Sequence, residues 1–274
     1  MSRAARNGVS FVEVLVVVAI IALVAGLLLP ATRRVREPAM RMQCSNNLKQ
    51  LMLGMHNYCD SNAMPAGVSS SRNGDEQVGR FPPGCFGPGT TPEERLSWMV
   101  DLLPFLEQDN LYRQFALDKD YTANLSAAQT RVRTLVCPAG KDAGTSDAVT
   151  HYIAMAGIGH DAAGRPTAAI GNGFMGYDRP TSMAMIKDGA SQTIAVIETR
   201  SGLGPWARGG ASTLRGFDPA DVPIYGDDRP FGGHPRGMNA AMADGSVRFI
   251  RSSIDPKNLA AAITIAGDEP VDLD

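Results

Sequence analysis

His234 is followed, after nine residues, by Asp244-Gly245. Histidine is the usual proton carrier near neutral pH and aspartate a hard-cation ligand, so this pair could serve as a metal site or an acid–base couple. The plainer reading weighs more: Asp-Gly is turn chemistry, His234 bonds a loop, and two ligands are few for a metal. Four cysteines, Cys44, Cys59, Cys85 and Cys137, form a second set. None shows the close paired spacing of a structural zinc site, and their even number leaves three full disulfide pairings open in an oxidising compartment. Gly171-Asn172-Gly173-Phe174-Met175-Gly176 has the spacing of a dinucleotide loop, but Pro180 interrupts the helix that should open there. His56, His151 and His160 are scattered and read as polar surface or loop residues. With no HExxH helix, GxSxG elbow or phosphate loop, neither an enzyme nor a cofactor is expected.

Glu13 is the third candidate. It sits at the head of an apolar run whose part from Val14 to Leu29 has no polar side chain. The stretch Val9 to Leu29 would be about 32 Å long as a helix, close to the roughly 30 Å hydrocarbon core of a bilayer. A carboxylate there costs a few kcal/mol on insertion scales and is kept for a function. If a leader is cut after Gly8, Val9 becomes a new amino terminus four residues from Glu13, and the two charges can neutralise each other. The expected location is the cytoplasmic membrane, single-pass, with the carboxy-terminal domain outside. Arg33, Arg34, Arg36 and Arg41 after the run outnumber Arg3 and Arg6 before it, which by charge alone favours the reverse orientation.

The elements that must carry these residues follow from pattern. Cys44, Leu48, Leu51, Met55 and Tyr58 recur at helical spacing, with Pro30 and Pro38 expected to bend the helix. Thr91-Pro92-Glu93-Glu94 predicts a helix start running to Leu103. Thr193 to Glu198 reads as a strand, and Asn239 to Ala243 with Ser246 to Ile250 as a hairpin around Asp244-Gly245. Asp255-Pro256 caps a last helix. The fold class is α+β: a long curved amino-terminal helix, membrane part plus amphipathic part, packed on an antiparallel sheet domain with short helices. The expected division is leader 1–8, transmembrane helix 9–30, amphipathic spine 31–59 and domain 60–274. A formal net charge of −2 gives no basic field for nucleic acid.

Gly8-Val9-Ser10-Phe11-Val12-Glu13 and the apolar run resemble the prepilin cleavage and methylation motif, with Val9 where that family usually has Phe. The resemblance implies cleavage and methylation by prepilin peptidase. A longer resemblance covers nearly the whole chain: Met42 to Gln50 around Cys44, Phe81-Pro82-Pro83-Gly84, Ser97-Trp98, Leu102 to Leu106, Cys137-Pro138, and the His234, nine residues, Asp244-Gly245 signature. These residues are similar to a pilin-like domain-of-unknown-function family, 1559. It implies a Cys44–Cys137 disulfide and a pseudopilin-like role with other pilin-like subunits or secretion machinery. The alternatives are a membrane-anchored binding module that borrowed the export signal and, third, an envelope hydrolase.

Overall fold

A strand covered on both faces has no solvent side to alternate toward, so its sequence reads as an unbroken apolar run. The computed structural model describes residues 11–62, 79–140, 148–226 and 229–273, with backbone alone at 24–35. Its strands are β1 (Cys85–Phe86), β2 (Leu96–Ser97), β3 (Tyr152–Ile158), β4 (Ile194–Glu198), β5 (Leu214–Phe217), β6 (Gly237–Met242) and β7 (Val247–Arg251). Its helices are α1 (Phe11–Ser61), α2 (Trp98–Asp101), α3 (Asp109–Tyr112), α4 (Leu125–Ala128) and α5 (Pro256–Ile263). Strands β3, β4 and β6 are buried along nearly their whole length, while in the edge strand β7 Ile250 is the one fully buried residue.

The main sheet has the order β5-β3-β4-β6-β7. Tyr152, Ala154 and Ala156 of β3 face a core shared with Cys44, Leu48, Leu51, Met52, Met55 and Cys59 of α1. Ile153 and Met155 face the opposite core, shared with Leu259, Ala262 and Ile263 of α5. The sheet is thus sandwiched between helices, and each face is set by the two-residue period of the strand. All pairings are antiparallel except β3 with β5, which is parallel. The expected antiparallel sheet is therefore mixed. The chain reverses after β4 but passes over β3 before pairing, and a strand antiparallel to β4 on the far side of β3 must run parallel to β3.

The chain divides into two compact units, Met1–Met40 and Arg41–Asp274. Helical backbone continues through Pro30 and Pro38. The membrane expectation is corrected: no helix formed by the described residues is long and apolar enough to cross a membrane. The long curved helix with a membrane-spanning part, the transmembrane assignment and the single-pass location fall with it. In the second unit, α1 is fixed by its buried stripe and by polar ties. His56 Nε2 is 3.0 Å from the Ala243 carbonyl, and Asn47 Nδ2 donates to the Val136 carbonyl and the Tyr152 hydroxyl.

Local signals resolve unevenly. The Thr91 signal makes a capping box, but the helix it opens is a single 3-10 turn, Pro92–Glu94. Leu96–Ser97 instead pairs with Cys85–Phe86, and α2 starts again at Trp98 under a Ser97 cap whose Oγ accepts from Met99 N. The Asp244-Gly245 hairpin forms with a three-residue loop: Gly245 alone takes positive φ, and Gly245 N donates to the Met242 carbonyl. That is the type I turn closed by a left-handed residue. Asp255 caps α5 as expected, accepting from Lys257 N.

Asp101, at the end of α2, has its carboxyl pushed up to about 7 by burial. Its unfolded value lies near 4, so the folded chain holds more protons between those values, and stability falls as pH rises from about 4 to 7. Asp101→Asn should remove that slope and stabilise the chain at pH 8 by on the order of 2 kcal/mol. Urea midpoints measured at pH 5 and pH 8 check it; an unchanged difference between the two refutes it.

Candidate functional site

Four segments converge between α1 and the sheet. α1 brings Cys44; the loop after the 3-10 turn Arg133–Leu135 brings Cys137; the end of β4 brings Glu198; and the loop before β6 brings His234. One ligand atom from each lies within 4.8 Å of all the others. Glu198 is 0 % exposed and His234 1 %. His234 Nε2 lies 3.4 Å from Glu198 Oε1 and 3.8 Å from Cys137 Sγ.

The supports are as specific as the ligands. Register places Asn239 beside Glu198, since Ile197 pairs with Ala240. Asn239 backbone N donates to Glu198 Oε2 at 2.6 Å, and its Nδ2 donates to Oε1 at 3.0 Å. His234 exchanges backbone hydrogen bonds with Gly237, and its carbonyl accepts from the Tyr225 hydroxyl. Arg200 Nη2 donates to the carbonyls of both Ala139 and Gly233, tying the Cys137 loop to the His234 loop. Gly233 has no room for a side chain, because a Cβ there would lie 2.3 Å from Glu198 Oε2.

The electrostatics follow from crowding ionisable groups where water is excluded. Cys44 is pushed far up, first by its hydrogen bond to Cys137 and then by burial. Cys137 is lowered to about 6, chiefly because Cys44 donates to it, against burial and with help from His234. Burial alone would pull His234 down, yet its hydrogen bonds and charge interactions with Cys137 and Glu198 raise it to about 10. Tyr152, hydrogen-bonded to Cys44, is raised by burial and by the surrounding negative groups. The site therefore favours a thiolate at Cys137 beside an imidazolium at His234, and the ring nitrogen becomes a metal ligand only when its proton leaves.

A family described as protein of unknown function, DUF1559, matches residues 33–222 and 209–257 through its model. The chain belongs to this family. Neither the curated proteins nor the solved structures contain a match. The DUF1559 match takes in all four converging residues, whereas the prepilin-like motif lies before residue 33.

Among the residues that sequence singled out in this DUF1559 chain, Cys44, Cys137 and His234 come together. Cys44 and Cys137 are free thiols, as are the buried Cys59 and Cys85 elsewhere. Asp244 does not join His234. The two stand at opposite ends of β6, and Asp244 Oδ1 accepts from Ser246 N and Oγ, so it shapes the turn with Gly245. The nine-residue spacing of the signature is the length of one strand and its loop. Gly8 and Val9 lie outside the described residues; Glu13 lies in the first turn of α1. His160 is exposed beside Asp221, His56 docks α1 on the hairpin, and His151 is buried instead of lying on the surface. Gly171 and Gly173 lie in bridges and turns with no helix opening there. Glu198 and Asn239 went unpredicted. The available signal was a carboxylate closing Ile-Ala-Val-Ile-Glu and an amide inside Gly-Met-Asn-Ala-Ala-Met, polar groups in runs that otherwise read as covered on both faces.

Proposed function

We propose that this DUF1559 chain is a pseudopilin-like subunit with a structural, assembly role in a type II secretion or type IV pilus-like system, processed by prepilin peptidase after Gly8. The observation that carries the reading is the bare start of α1. Phe11, Val12, Val14 to Val18, Ile20, Ile21 and Leu23 are each at least 50 % exposed. Burying one such side chain contributes about 1.5–3 kcal/mol, so an apolar surface of this extent favours packing against like helices of other pilin-like subunits. Glu13, the acidic residue in this first turn, would set the stagger by meeting the amino group that cleavage creates at Val9 of a neighbouring subunit. The role is structural and involves no catalysis.

Intact-mass analysis of the full chain recovered from producing cells tests the reading. The expected species starts at Val9 and carries one added methyl group. A chain that keeps Met1 or Ser2 as its first residue overturns it. Glu13→Gln should abolish cross-linked higher species while leaving the melting of the Arg41–Asp274 unit unchanged.

A further inference from the structure

We infer that Cys44, Cys137, Glu198 and His234 form a closed, structural binding site for one zinc ion, which fastens α1 to the sheet. Two sulfurs, one imidazole nitrogen and one carboxylate oxygen are a donor set that suits zinc and satisfies all four positions of its tetrahedron. In such a tetrahedron, neighbouring ligand atoms stand about 3.3–3.8 Å apart, as bond lengths of about 2.0–2.3 Å require. The separations of 3.4 Å from His234 Nε2 to Glu198 and 3.8 Å from His234 Nε2 to Cys137 already fit. The widest separation in the cluster, bounded by 4.8 Å, closes with a shift of about an ångström.

The second layer matches what a metal needs. Zinc ligands are held by partners that fix their orientation. Here Asn239 supplies two donors to the Glu198 carboxylate, Tyr152 bonds Cys44, and Arg200 links the two loops that carry Cys137 and His234. A disulfide between Cys44 and Cys137 would account for the cysteines alone. It would give no role to the buried carboxylate and imidazole, each costing several kcal/mol to desolvate, that stand within 4.8 Å of the two sulfurs. Binding takes both cysteines as thiolates and the histidine as neutral imidazole, so their protons leave as zinc enters. With four protein ligands and no open position, the ion would do no chemistry on a substrate.

The test uses the full, reduced chain titrated with cobalt(II), then zinc. One equivalent of cobalt should produce the strong visible absorption of a tetrahedral ion with a thiolate charge-transfer band, and zinc should abolish both. Zinc-edge X-ray absorption on the wild type should give two sulfurs near about 2.3 Å and two nitrogen or oxygen ligands near about 2.0 Å. Asn239→Ala, which touches no metal, should weaken zinc binding by about 10–100-fold. Cys85→Ser, at a buried cysteine outside the cluster, should leave the spectrum unchanged. An oxygen-only six-coordinate spectrum, no uptake, or a Cys44–Cys137 disulfide in protein as purified would each overturn the site.

Discussion

Glu198→Ala will destabilise the full chain by about 3–5 kcal/mol, the cost of removing one partner from a buried charged network. Its carboxylate is fully enclosed and meets three groups: the Asn239 amide N–H, the Asn239 side chain and the His234 ring. Each is left facing a void where water does not readily follow. Glu198→Gln should cost less, because an amide oxygen can still accept from Asn239 N, but it presents an N–H₂ toward His234. Thermal melts of both variants separate the contributions. For a domain of this size, 1 kcal/mol moves Tm by about 2–4 °C, so the alanine variant should melt roughly 10 °C lower. A shift of only a degree or two would show that the carboxylate is not anchoring the loops.

Trp98→Ala is the second large effect, expected at about 3–5 kcal/mol for a fully enclosed indole. Trp98 opens α2, is 0 % exposed, and its Nε1 donates to the Thr213 carbonyl just before β5. Its backbone N donates to the Gly84 carbonyl. One residue thus joins the small β1–β2 ribbon region, through its backbone, to the far edge of the main sheet, through its indole. Trp98→Phe should recover most of the packing while still leaving the Thr213 carbonyl without its indole donor. Urea unfolding should therefore order the variants as wild type, Phe, Ala; equal stability of Phe and Ala would assign the whole effect to the hydrogen bond.

Sequence reasoning reached the elements whose cause is local. Asp255-Pro256 caps α5 because cap, ring constraint and first turn are all encoded in neighbouring residues, and Asp244-Gly245 closes the β6–β7 hairpin for the same reason. It missed β2, since a two-residue strand at Leu96–Ser97 exists only through pairing with Cys85–Phe86, and a good capping box made a longer helix look favourable. The parallel β5 was also hidden, because nothing between Thr199 and Thr213 states on which side of β3 the chain will land. The membrane span read from apolar run length is not found among the described residues, where no helix is long and apolar enough to cross a membrane. In the site, family resemblance supplied Cys44, Cys137 and His234, while Glu198 emerges only when strand register brings it beside Asn239.

The placement of His234 and Asp244 at the two ends of β6 gives their spacing a meaning beyond recognition. Because strand side chains alternate, one residue inserted or deleted in β6 between Asn239 and the Asp244-Gly245 turn would turn Asn239 to the other face of the sheet. The carboxylate would lose its two donors even though every site residue was still present. The signature thus acts as a ruler: it counts residues so that the parity of one strand keeps a buried charge satisfied, and a chain that preserved the histidine and the Asp-Gly but altered the count would fold around a broken network.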